Sequence, residues 1–191
     1  VEMSLTEAQS DMRQGYYSGA TGILASSIAW FVAAGFALLT TPEEAVWSLL
    51  IAGVFIFPVG LLICKLIGAR GAHTKGNPLG QLAGASTFWL IFCLPIAYFL
   101  SVRQPGLFFP AMLLIIGGRY LVFATLYGMK LYWILGLLLA AAGFVLAPLN
   151  ASMLVSAFVG ALLEAIFAIA CFVQHRRWAR ANNSRMDSLC K

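Results

Sequence analysis

The sequence predicts an all-α membrane protein: a six-transmembrane-helix bundle built from three consecutive helical hairpins, with the N and C termini cytoplasmic. Composition is the first reason. Apolar residues make up 61% of the 191 and charged residues 10%, and mean hydropathy is +0.89. An ordinary soluble domain carries roughly 25% charged residues, and twelve Lys+Arg with seven Asp+Glu cannot cover a water-soluble globule of this size. The second reason is that apolar runs of about 20 residues, the length a helix needs to cross a hydrocarbon core of about 30 Å, recur along the chain. The third is that positive charge falls on alternate connections between those runs. Together these exclude a soluble enzyme, a disordered tail and a nucleic-acid partner. The formal +5 is scattered beside apolar runs and forms no basic stripe.

The first element is a cytoplasmic N-terminal segment, residues 1–16. Ser4-Leu5-Thr6-Glu7 has the form of a capping box. Leu5, Ala8, Met12 and Tyr16 then share one helical face, with Glu7, Asp11 and Arg13 elsewhere. That pattern suits an interfacial helix or a frayed lead-in. With Arg13 its only basic residue, the segment does not resemble a secretory leader. The six-span transmembrane domain, residues 17–174, follows. Its spans run near Tyr17–Leu39, Ala45–Ile67, Leu82–Ser101, Leu107–Tyr127, Leu131–Pro148 and Ala151–Val173. Thr41 can cap a helix that Pro42, Glu43 and Glu44 begin. Gly76-Asn77-Pro78, Arg103-Gln104-Pro105-Gly106, Gly128-Met129-Lys130 and Pro148-Leu149-Asn150 supply the remaining breaks.

Orientation follows from Lys and Arg. Arg13, Lys65, Arg70, Lys75, Lys130, Arg176, Arg177, Arg180, Arg185 and Lys191 fall on the side of the termini, Arg103 alone on the other, and Arg119 inside a span. This is the positive-inside pattern. The basic cytoplasmic tail, residues 175–191, anchors topology and can attract anionic lipid. Trp47, Trp89 and Trp133 near span ends read as interfacial anchors. Cys64, Cys93, Cys171 and Cys190 have no C-x-x-C spacing, so neither a metal site nor a cofactor is expected, and three of them suit apolar packing.

Between helices in lipid, close contact is marked by small residues. Gly15 and Gly19, then Ser18, Gly22 and Ser26, then Ala25, Ala29, Ala33 and Ala37 give the first span two approachable sides. Gly136, Ala140, Gly143 and Ala147 form a narrow seam, and Ser152, Ser156, Gly160, Glu164 and Ala168 a column. Pro58 and Pro95 are expected to kink their spans.

Two ionisable residues lie deep in spans. Arg119 is roughly 12 Å, and Glu164 roughly 15 Å, from the same end at 1.5 Å per residue. Either charge alone costs about 2.5–3.5 kcal/mol at mid-span. Equal depth therefore predicts an Arg119–Glu164 salt bridge, with Gly117 and Gly118 leaving room and Tyr120, Tyr127, Thr125 or Ser156 as neighbours. The pair is either a substrate or proton site or an internal bolt that fixes register. Asp11, Arg13, His73 and Asn77 are candidates to line a cytoplasmic vestibule, or are simply a solvated loop.

Three functional classes follow. A small-solute or ion transporter or channel would use the buried pair and the kinked spans. A structural or accessory subunit would use the small-residue faces to join a homo-oligomer or a larger membrane complex, the bilayer itself being its first partner. An intramembrane enzyme has least support, since no H-E-x-x-H, G-x-S-x-G or Walker loop is present. The run Glu7-Ala8-Gln9-Ser10-Asp11-Met12-Arg13-Gln14-Gly15-Tyr16-Tyr17-Ser18-Gly19-Ala20, with Gly76-Asn77-Pro78-Leu79-Gly80, resembles an uncharacterised family of small bacterial multi-pass inner-membrane proteins with no established activity. The resemblance implies a bacterial cytoplasmic membrane and assigns no catalytic or binding residue.

Overall fold

A computed structural model describes residues 3–189. Cys190, Lys191 and the Arg185 side chain, used above, lie outside what is described. The chain forms α1 (Leu5–Tyr16), a 3₁₀ turn (Tyr17–Gly19), α2 (Ala20–Leu39), α3 (Pro42–Leu66) and α4 (Pro78–Arg103). A second 3₁₀ turn (Pro105–Leu107), α5 (Phe108–Tyr127), α6 (Leu131–Leu146) and α7 (Met153–Leu189) follow. The helix starts obey local chemistry. The Ser4 hydroxyl accepts from Glu7 N–H at 3.3 Å while Ser4 N–H donates to the Glu7 carboxylate at 2.8 Å. Thr41 and Glu44 repeat the same box at 3.3 and 3.1 Å, with Pro42 in the first turn, and Asn77 caps α4 by accepting from Leu79 N–H at 3.0 Å.

Five segments are long and apolar enough to cross a membrane: Leu5–Leu39, Pro42–Leu66, Pro78–Arg103, Pro105–Tyr127 and Met153–Asn182. The sixth apolar helix, α6, has 16 residues, roughly 24 Å at 1.5 Å per residue. Ala147 and Pro148, expected at its end, fall in a turn instead. The expected break after Val173 is absent, because no Gly or Pro interrupts Gln174–Leu189 and α7 runs through it.

The expected hairpins form with a different weighting. α2 packs on α3 and α4 on α5, but α6 leans chiefly on α5, and α7 chiefly on α2. Small residues decide this. A Cβ on Gly117 of α5 would lie 2.7 Å from the Gly136 carbonyl oxygen, and one on Gly136 of α6 would lie 2.6 Å from the Gly117 oxygen. Backbones come this close only where side chains are missing. On α7, Ala157, Ala161 and Ala168 are buried, as are Ala25, Ala29 and Ala33 on α2, the helix α7 packs against most, and the Ser27 hydroxyl donates to the Ala161 carbonyl at 3.0 Å. The outer faces, Val54, Phe57, Phe92 and Phe99 among them, are apolar and exposed, as hydrocarbon-facing surface should be. Trp47, Trp89 and Trp133 are exposed as well.

Candidate functional site

Glu164 lies on the small-residue column of α7, and its exposure is 0%. One turn away, Gly160 admits the Trp30 ring of α2; a Cβ there would stand 2.9 Å from it. Tyr120 of α5 donates its hydroxyl to Glu164 Oε1 at 3.0 Å, and Ser26 and Trp30 lie alongside the carboxyl. Glu164 Oε2, Trp30 Nε1 and Ser156 Oγ are buried without a hydrogen-bond partner. Three helices thus converge on one carboxyl whose Oε2 makes no close hydrogen bond, although Ser26 and Trp30 of α2 are near enough to act on the group.

The expected Arg119–Glu164 salt bridge does not form. Consecutive helical residues are rotated by about 100°, so when Tyr120 faces the core, Arg119 faces α4. Its NH2 donates to Thr87 Oγ1 at 3.1 Å, its Cζ sits 5.2 Å from the Phe123 ring centroid, and its Nε is buried without a partner. Gly117 does not make room for it but closes the seam to α6. Of the other expected neighbours, Tyr127 is buried and stacked on Tyr132 at 5.4 Å. Thr125 is exposed, with its carbonyl accepting from Gln9 at 2.8 Å.

At the α1 end the vestibule candidates are engaged with one another or with helix ends. Asp11 accepts from Arg70 at 2.8 Å, Thr74 N–H and hydroxyl at 2.8 Å each, and Asn77 at 2.9 Å. Burial raises the Asp11 carboxyl, but the hydrogen bonds from Asn77, Thr74 and Arg70 outweigh it and hold the group well below the usual carboxylate range. Asn77 also donates to the Ala8 carbonyl at 3.0 Å. Arg13 turns the other way and donates to the carbonyls of Tyr127 and Gly128. Those are orphan acceptors at the C-terminus of α5, where a cation is favoured. His73 pairs with the Tyr16 hydroxyl at 2.9 Å; with Asn77, Gly80 and Gln81 it lines a cleft of about 410 Å³.

Sequence reasoning missed the junction between α1 and α2. Tyr17 and Ser18 have φ of 52° and 56°, and Gly19 has 81°. Left-handed backbone at a residue with a side chain costs roughly 1–2 kcal/mol. It is held here by α6 and α7: the Ser18 carbonyl accepts from Tyr132 at 2.7 Å and from the Cys171 thiol at 3.2 Å, and its hydroxyl pairs with His175 at 2.8 Å. A Cβ on Gly19 would collide with the Tyr132 hydroxyl. The trace in the sequence is slight: Gly15 and Gly19 bracket a polar junction, and Cys171 and His175 share a face at i, i+4.

An all-helical bundle with polar groups gathered inside and apolar faces outside is an integral membrane protein. Residues 5–174 match a family described as "Family of unknown function (DUF7010)", and the chain belongs to it. No curated protein and no solved structure matches the chain.

Proposed function

We propose that this protein moves a small solute or ion across the bacterial cytoplasmic membrane, with Glu164 as the group that takes up and releases a proton or cation. The observation that supports this reading is the fully buried carboxyl with one unpartnered oxygen, shared between α2, α5 and α7. A buried carboxylate whose single hydrogen bond is from Tyr120 is costly in hydrocarbon, so the sealed state calls for a bound proton or cation. Its release calls for the helices to part, and that links occupancy of the site to conformation. The positive-inside pattern supports cytoplasmic termini, with α6 counted as a short sixth span.

A second reading, an accessory subunit in which the Tyr120–Glu164 contact is a packing bolt, is favoured by the closed seam between Gly117 and Gly136. Proteoliposomes separate the two. Purified protein, wild type and Glu164→Gln, is reconstituted, and proton and sodium flux under imposed gradients is read with an internal pH dye and tracer sodium. Transport predicts flux through the wild type, and its loss in a Glu164→Gln variant that still unfolds at nearly the wild-type temperature. Equal flux through a folded Glu164→Gln, or none through either protein, leaves the bolt.

A further inference from the structure

Helices α3 and α4 follow one another in the chain yet scarcely touch: α3 lies on α2 and α4 on α5. The rings of Trp47 and Tyr98, 5.6 Å apart, bring them together where α3 begins and α4 finishes. At the other end the connection from Ile67 to Asn77 spans the gap and is tied to α1 through Asp11. Between those two points α3 and α4 do not pack on each other, which leaves a groove between their facing sides. Thr87, Ile91, Leu94 and Tyr98 follow at i, i+4, i+7 and i+11, so they share the face of α4 that Tyr98 turns toward α3. Val54, two turns from Trp47 on the same face of α3, is 73% exposed, and Ile91 is 48% exposed. Both walls are apolar and uncovered.

Among the described residues Arg119 is the charge that borders this groove, since Thr87 is its hydrogen-bond partner. Its natural counter-ion, Glu164, is occupied by Tyr120 on another face. A guanidinium has five N–H donors in a planar fork matched to phosphate, and the hydrogen bond Arg119 makes is a single one, from NH2 to Thr87. The side chain bends over Phe123, one turn nearer the end of α5. The Arg119 Cα stands eight residues, roughly 12 Å at 1.5 Å per residue, from the end of α5, so a lipid phosphate meets the guanidinium by snorkelling of the side chain and local thinning of the bilayer.

We propose that the α3–α4 groove holds an anionic phospholipid, its phosphate on Arg119 beside Thr87 and an acyl chain along Val54 and Ile91. The assignment is independent of the transport reading, because it rests on another residue and another face. The test is retention of phosphatidylglycerol against phosphatidylcholine by the full chain in neutral detergent, read by native mass spectrometry and by thermal unfolding. Wild type is expected to prefer phosphatidylglycerol about tenfold, the scale of one charge-assisted contact. Arg119→Gln should lose that preference, while a triple variant, Arg176→Gln with Arg177→Gln and Arg180→Gln, should keep it. Inorganic phosphate should not compete. Preference unchanged in Arg119→Gln, abolished in the triple variant, or matched by inorganic phosphate overturns the proposal. If Arg119→Gln does not fold, Ile91→Trp, a change at an exposed position that fills the groove, should release the lipid; undiminished retention there overturns it equally.

Discussion

Helix α5 meets its two chain neighbours in opposite ways. Toward α6 it presents Gly117 and receives Gly136, and the two backbones touch. Toward α4 it presents Arg119, held by a single bond to Thr87, and the surface continues into an open groove. Both partners are joined to α5 by short turns, so chain adjacency does not set how closely a pair packs. The side chain at the crossing does. The closed seam fixes the face of α5 that meets α6 and with it the direction of Tyr120 toward Glu164, while the open flank leaves a polar group that still has bonds to make.

The strongest way to break this contrast is to separate the closed seam. Gly117→Ala puts a methyl 2.7 Å from the Gly136 oxygen and 2.9 Å from Ala140 N, and backbone atoms cannot swing aside. Overpacking of this kind costs about 2–3 kcal/mol. Thermal unfolding in detergent should show a clear fall, with Tyr120–Glu164 disturbed as α5 is pushed back. An unchanged midpoint would mean the helices are not held this closely.

What was legible in the sequence divides along the same line. Helix starts at Ser4 and Thr41 are decided by residues within one turn, and they were readable; α4 begins at Pro78, ahead of the start expected near Leu82, because Asn77 caps it. The column Ser156, Gly160, Glu164, Ala168 was equally plain, because spacing along one helix needs no knowledge of a second. Depth was readable too, and it placed Arg119 opposite Glu164. Rotation about the axis was not: whether Arg119 or Tyr120 meets the carboxyl depends on where α7 stands around α5, which Gly117 and Gly136 settle from another face. The left-handed Tyr17 and Ser18 were hidden for a similar reason, since the bonds that hold them come from Tyr132, Cys171 and His175, more than 100 residues away.

A smaller effect is expected where α1 fastens the mouth of the open flank. Asp11→Asn removes the charge that Arg70, Thr74 and Asn77 converge on, and loss of charged hydrogen bonds costs about 1–2 kcal/mol. Because the folded-state carboxyl is held below its ordinary value, its contribution is complete above the unfolded value of about 3.9 and fades as pH falls below that. Unfolding midpoints of wild type and Asp11→Asn should therefore differ fully at pH 7 and converge below about pH 4. A gap independent of pH would assign the effect to shape and not to charge.

The smallest effect sharpens the comparison most, because it concerns the next residue in the chain. A Cβ on Gly118 meets nothing within 4 Å, one residue along from the position where the same atom is forbidden. In a helix interior Gly costs roughly 0.5–1 kcal/mol relative to Ala through lost backbone entropy. Gly118→Ala should therefore leave stability unchanged or raise it by up to about 1 kcal/mol, where Gly117→Ala lowers it. The two variants have the same composition and differ only by about 100° of rotation around α5. If thermal unfolding ranked them equally, or in reverse, the packing face of α5 would be misplaced, and with it the separation of Arg119 from Glu164.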